Sequence, residues 1–184
     1  MTVHDKAEKP EITIDWEKYG CLFKEKTIPA KTILLNEGDV SRHAYYIKQG
    51  CLRLWFNNKG KDVTFQFFFE NEAVSSVESF RSGEPSLFSI ESVEPATVYV
   101  ISKKNFEEIF MQNPEYAALI QQTLVKRMSH YSRLFMSYIK NTPEERYREL
   151  LKTSPHIVKR IPQHYIASYL GITSVSLSRI RNRV

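Results

Sequence analysis

The residues best equipped for chemistry lie near the C-terminal end of the chain, where Ser174, Ser176, Ser178, Arg179, Arg181 and Arg183 fall within one short stretch. Hydroxyl and guanidinium groups at this density suit phosphate oxygens and base edges, which accept hydrogen bonds from both. Such groups need a scaffold to aim them, and the preceding residues supply one. The run Gln163-His-Tyr-Ile-Ala-Ser-Tyr-Leu-Gly-Ile-Thr-Ser-Val-Ser-Leu-Ser-Arg-Ile180 reads as two short helices pivoting on Gly171. Ile166, Ala167 and Leu170 form the inner face of the first helix, and Ile172, Leu177 and Ile180 that of the second. A helix-turn-helix needs a small residue where the helices cross, a turn residue tolerant of positive φ, and apolar anchors at these offsets. Thr173 or Ser174 is placed to cap the second helix by accepting from its first N–H groups. A hairpin that merely packs on its own domain has no use for an arginine-rich outer face, so the pattern favours DNA.

The charge distribution points the same way. The chain carries 26 Lys and Arg against 21 Asp and Glu, a net charge of +5. From Asn141 onward there are eight basic residues and three acidic ones, which leaves eighteen of each sign before it. The first three-quarters is therefore neutral, and the whole excess sits in the C-terminal segment, as expected of a phosphate contact.

Bulk properties narrow the class further. A length of 184 residues fits one medium domain and a small one. No apolar run approaches a membrane span, and the opening Met-Thr-Val-His-Asp-Lys lacks the apolar core of a signal peptide, so a cytoplasmic protein with no membrane partner is expected. Cys21 and Cys51 are far apart and in no metal or redox spacing; no metal or cofactor is expected from them.

Between Phe23 and Ile101 the pattern is of short strands: residues 32–35, 44–48, 51–56, 63–69, 86–93 and 97–101 are rich in β-branched and aromatic side chains. Turn signals at 36–39, 48–50, 57–60 and 83–85 separate them, which suggests an antiparallel barrel or jelly roll. A helix then opens at Asn113-Pro-Glu, a capping residue with proline at the first helical position. Ile120, Leu124, Met128, Tyr131, Phe135 and Tyr138 recur along it at steps of four and three, a coiled-coil-like seam for a second copy of the chain. Leu119, Leu134 and Ile139 fall off this stripe, so the helix is expected to serve barrel and partner at once. Thr142-Pro-Glu restarts a helix, which puts a hinge near residue 141. The expected class is α+β: a sensor β-barrel with flanking helices over 1–112, a long dimerisation helix over 113–140, and an all-α helix-turn-helix domain over 141–184.

This order resembles the CRP/FNR family of bacterial transcription regulators. The run from Lys31 to Leu54 looks like the family's opening strands and glycine turns, and Ile166-Ala to Leu177-Ser-Arg-Ile resembles its reading head. The resemblance implies a homodimer that binds a palindromic DNA site, with RNA polymerase as a candidate further partner. It also places Ser174, Val175 and Arg179 at base-reading positions. Thr173 begins the reading helix, while Gln163, Ser176, Ser178, Arg181 and Arg183 are expected to hold the phosphate backbone. Arginine pairs with guanine by two hydrogen bonds, whereas Val175, where many relatives carry a carboxylate, can only touch a thymine methyl.

Departures from the family concern its effector. Cyclic-AMP-binding members hold the ribose with a Gly-Glu pair and the phosphate with an Arg-Ser/Thr-Ala run some ten residues later. Here Ser75-Ser76 and Ser86-Leu87-Phe88 stand at those places, without the carboxylate or the guanidinium. A phosphate left unpaired in a low-dielectric barrel is costly, so control by cyclic AMP is not expected. Arg81-Ser82 and Gly83-Glu84 occur nearby in the wrong order. On the long helix, Tyr131-Ser132 falls where relatives reach the purine with small hydroxyl residues, and tyrosine can fill that space itself. The cysteines cannot supply the iron–sulfur members' cluster, and His43 and His130 are the only candidates for a haem ligand. Phe65, Phe67, Phe69 and Phe88 leave two options open: an apolar effector, or aromatic side chains that fill the cavity. Family members continue past the reading helix into a β-hairpin wing; the sequence given ends at Val184, so no wing contacts are expected of it.

Two other classes were weighed. A barrel enzyme needs clustered His and Glu ligands, and the barrel region holds a single histidine, His43. A ligand-binding scaffold whose basic tail grips a protein is the stronger rival, and salt dependence separates it from a DNA binder.

Overall fold

The computed structural model describes residues 15–183. A short helix α1 (Trp16–Tyr19), capped by the Asp15 carboxylate, leads through a 3₁₀ turn into eight strands. These are β1 (Lys24–Ile28), β2 (Ile33–Leu35), β3 (His43–Gln49), β4 (Leu52–Asn58), β5 (Lys61–Phe68), β6 (Ala73–Val74), β7 (Ser89–Ser92) and β8 (Ala96–Ser102). A helix α2 (Val77–Ser82) sits between β6 and β7. Six further helices follow: α3 (Lys103–Gln112), α4 (Pro114–Lys140), α5 (Pro143–Thr153), α6 (Pro155–Arg160), α7 (Gln163–Tyr169) and α8 (Ser174–Arg181).

The strands pair into two four-stranded antiparallel sheets, ordered β1-β8-β3-β6 and β2-β7-β4-β5. They face each other as a jelly roll, filled by Ile28, Ile47, Leu52, Phe68, Ile90 and Val98. The α+β architecture expected from the sequence is the one observed. Two strands escaped it. β1 is Lys-Glu-Lys-Thr-Ile, an edge strand whose charges face solvent, and it pairs with β8 along its full length. β6 has only two residues, too few for any alternation to register. Gly50 turns the chain into β4 at φ +100°, and a Cβ there would lie 2.7 Å from that of Ala96.

Alternation along β4 sends Leu52 and Leu54 into the roll and Arg53 outward. The outward face is not solvent, because α7, with α6 beside it, covers it. Tyr165, Ile166, Tyr169 and Leu170 of the helical domain share one apolar cluster with Cys51, Phe67 and Val93 of the roll. Where β5 runs beneath α7 it carries a bulge: Leu54 pairs with Gln66 and Trp55 with Thr64, which leaves Phe65 as the extra residue.

Helix α4 begins where expected, but Asn113 does not cap it with its side chain. Its amide nitrogen instead donates to the Ile109 carbonyl at the end of α3 (2.8 Å). At the far end, Thr142 and Glu145 form a reciprocal capping box that starts α5, with Asn141 between the two helices. The end of α4 is tied to the helices beyond it. Tyr138 donates its hydroxyl to the Tyr169 carbonyl, and Arg146 reaches the carbonyls of Asn141 (2.8 Å) and Leu170 (3.0 Å).

Candidate nucleic-acid interface and effector position

The C-terminal hairpin forms as its residue types dictate. Ile166, Ala167 and Leu170 of the first helix and Leu177 and Ile180 of the second are buried, with Ile172 partly so. Gly171 takes φ +68° in the turn, beyond the end of α7. Of the two candidate caps, Thr173 is the one used: its hydroxyl accepts from the Ser176 N–H at 3.1 Å. With its inner side committed to Leu177 and Ile180, α8 turns Ser174, Val175, Ser178, Arg179 and Arg181 outward, and Arg183 follows just beyond it. Val175 is 62% exposed, a methyl-bearing contact in the midst of donors. The three arginines pair with no carboxylate among the described residues, so their donors are uncommitted. Ser176 is half-buried and spends its hydroxyl on Thr173 (2.9 Å). Gln163 is exposed at the first turn of α7.

The positions matched to the family's cyclic-nucleotide cassette differ in their surroundings. Ser86 is buried; its hydroxyl accepts from the Phe88 N–H (3.1 Å) and donates to the Phe88 carbonyl (2.6 Å). Ser76 is buried at the start of α2, Ser75 is half-buried, and Leu87 points to solvent. Arg81, Ser82, Gly83 and Glu84 are all exposed. The Phe65 ring stands 4.9 Å from that of Phe88 and 4.9 Å from that of Tyr131 on α4. Phe56 adds a further edge contact to Phe88 at 6.2 Å. Ser132 turns away, donating to the Met128 carbonyl on the exposed side of α4. The four phenylalanines grouped by sequence do not act together. Phe65 and Phe88 line the interior, whereas Phe67 meets Tyr169 at 5.4 Å and Phe69 meets His156 at 4.6 Å, both outside the roll. Strand alternation, undone by the bulge at Phe65, accounts for the division.

The apolar stripe of α4 divides as well. Ile120 lines a small apolar cavity of about 60 Å³ against Tyr45 and Phe106, Tyr131 faces the roll, and Tyr138 packs on the α7–α8 turn. Leu124, Met128 and Phe135 stay exposed, joined by Val125, Met136 and Ile139. Val125, Met128, Ser132, Phe135 and Ile139 follow one another at steps of three and four, so a single continuous face of the helix remains uncovered.

Sequence reading missed a charged cluster between roll and helices. Arg53, 1% exposed, donates to Glu91 (2.7 Å), Asp62 (3.0 Å) and Thr64 (3.1 Å), and its guanidinium lies 4.0 Å from the ring of Tyr165 on α7. Nearby, Arg160 grips both oxygens of Glu70 (2.8 Å each) and bonds Glu94. These hydrogen bonds hold the Glu70 carboxyl at about 2, well under the usual carboxylate range. Burial pushes the Cys51 thiol far above its ordinary value, which makes it an inert core residue. Among the described residues no group of three or more His, Cys, Asp or Glu could hold a metal, and no helix is long and apolar enough to cross a membrane.

Comparison with known proteins fits this geometry. Residues 25–113 match the family model of the cyclic nucleotide-binding domain. The chain is 20% identical over 117 residues to the cAMP-activated global transcriptional regulator CRP of Salmonella typhimurium, covering 63% of this chain and 55% of that one. It is also 27% identical over 108 residues to mouse patatin-like phospholipase domain-containing protein 7, of which it spans only 8%. Among solved structures, the c-di-GMP responsive global regulator CLP of Xanthomonas campestris superposes with a TM-score of 0.75 at 15% identity, covering 91% of this chain and 88% of that one. A crp/fnr-family regulator from Eubacterium rectale gives 0.71 at 18% identity, covering 90% and 79%. The roll thus falls within the residues that match the cyclic nucleotide-binding model, and the chain as a whole has the fold of the CRP/FNR regulators.

Proposed function

We propose that the protein is a homodimeric, sequence-specific DNA-binding transcription regulator of the CRP/FNR type, working in the cytoplasm. The observation that carries this reading is the helix-turn-helix whose outer face bears exposed arginines with no carboxylate partner among the described residues, following a stretch of 140 residues without net charge. Residues 1–112 act as the sensor unit, 113–140 as the dimerisation helix and 141–184 as the reading unit. α8 enters the major groove. There Arg179 reads guanine, Val175 touches a thymine methyl, and Ser174 contacts an adjacent base edge, while Gln163, Thr173, Ser176, Ser178, Arg181 and Arg183 hold the backbone.

The second copy packs along the uncovered face of α4, through Leu124, Val125, Met128, Phe135 and Ile139. A two-fold axis there sets two reading helices side by side, which calls for a palindromic site. Cyclic AMP is not the effector. The cassette positions lack both carboxylate and guanidinium, and the Phe65, Phe88 and Tyr131 rings occupy the space between roll and α4.

Selection of bound duplexes from a randomised pool, with and without cyclic AMP, tests the reading. An enriched palindrome with half-sites about one helical turn apart, unchanged by cyclic AMP, is the expected result. Binding that is neither selective nor salt-sensitive would leave the rival, a basic tail that grips a protein.

A further inference from the structure

Strand β5 is the edge of its sheet, and the helical domain meets the roll there. The outer groups of an edge strand have no cross-strand partner. Here one side chain from the helical domain serves two of them. The Ser168 hydroxyl accepts from the Thr64 N–H at 2.8 Å and donates to the Asp62 carbonyl at 2.7 Å. Both its donor and its acceptor are thereby spent on strand backbone more than one hundred residues away. Ser168 lies on α7, one turn before Gly171, so its position fixes that of the α7–α8 turn. Two flanking contacts set the orientation: Tyr165 over Arg53 on one side and Arg160 between Glu70 and Glu94 on the other. On the inner side of the same strand, the bulged Phe65 is wedged between Phe88 and Tyr131. Strand β5 is therefore packed from within the roll by Phe65 and capped along its outer edge by one hydroxyl.

We propose that Ser168 is a positioning residue for DNA recognition: by capping the outer edge of β5 it seats the reading head on the roll in its DNA-binding orientation, without any effector. This rests on the DNA-binding reading above. In a dimer the seat matters only for the relation between two heads. A duplex with both half-sites needs the heads at a set separation, whereas a single half-site engages one head and is indifferent to it.

The test uses the full-length protein and two variants, Ser168→Ala and Ser168→Thr. Affinities are measured for a duplex with both half-sites and for one with a single half-site, and hydrogen exchange is followed at the Thr64 amide. Removing the hydroxyl deletes two hydrogen bonds, each worth a few-fold in an equilibrium. Ser168→Ala should therefore weaken the two-half-site duplex about tenfold, leave the single half-site unchanged, and speed Thr64 exchange about tenfold. Ser168→Thr, which keeps the hydroxyl, should restore all three. Equal loss on both duplexes means a merely structural role and overturns the proposal, as does unchanged or tighter binding to the two-half-site duplex. If the unmodified protein binds no duplex in a salt-sensitive way, the DNA reading itself has failed, and the exchange data still report whether Ser168 caps the edge of β5.

Discussion

Replacing Arg53 with methionine should destabilise the whole molecule far more than an average substitution. The guanidinium is 1% exposed and bonded to Glu91, Asp62 and Thr64. Methionine matches the stem in length but leaves the Glu91 carboxylate, 9% exposed at its side chain, without its cation. Asp62 is about half exposed and can return to water, so Glu91 dominates the loss. Breaking a buried pair on one side costs about 3–5 kcal/mol. For a chain of this length each kcal/mol moves the midpoint by about 2–4 °C, so the Tm should fall by about 6–20 °C. Adding Glu91→Leu removes the orphaned charge and should recover most of that fall. Thermal melts followed by circular dichroism at neutral pH decide it. A fall under about 3 °C for the single variant, or a double variant worse than the single, would refute the argument that a buried charge pair rather than packing governs this site.

Other expectations follow from the same structure. Arg179→Ala should relax selectivity at one base by about 1–3 kcal/mol, while Arg183→Ala should weaken all sequences alike, as competition among variant duplexes will show. Phe135→Glu, on the uncovered face of α4, should yield monomers in sedimentation and abolish selectivity for two half-sites while the fold stays intact. Gly171→Ala should cost about 1–2 kcal/mol, because φ is +68° and a Cβ would stand 3.0 Å from the Tyr138 ring. The Glu70 carboxyl titrates near 2 in the folded chain against an ordinary 4.5. The stabilisation it gives through Arg160 is therefore fully present above the ordinary value and is lost as pH falls from there toward 2. The difference in Tm between the unmodified protein and Arg160→Gln should shrink across that window.

The helix-turn-helix was legible because its demands are local: a small residue, a turn glycine and apolar offsets all lie within eighteen positions. The roll was legible where strands alternate, and not at β1, whose charges conceal a paired edge, or at β6, which is too short. What stayed hidden is non-local. Arg53 in Cys-Leu-Arg-Leu-Trp looks like a solvent-facing strand residue, and only the docking of α7 buries it. Ser168 looks like an ordinary polar position between Ala167 and Tyr169, since no pattern in the last forty residues announces an open strand edge at Asp62 and Thr64. The apolar stripe on α4 was legible as a period but not in its surroundings: Ile120, Tyr131 and Tyr138 are engaged by the same chain, because the roll and the C-terminal helices claim neighbouring faces.

The apolar cluster that spans roll and helices bears on how such proteins can be recombined. Reading heads are attractive parts to exchange between regulators, since specificity sits in a few exposed side chains. Here the head's inner surface includes Tyr165 and Tyr169, which complete their packing only against Arg53, Phe67 and Cys51 of the roll. A head transplanted without those three positions would leave two tyrosines without their packing partners. New specificity in this lineage is therefore expected to arise by substitution along the outer face of α8, with the head kept on its native roll.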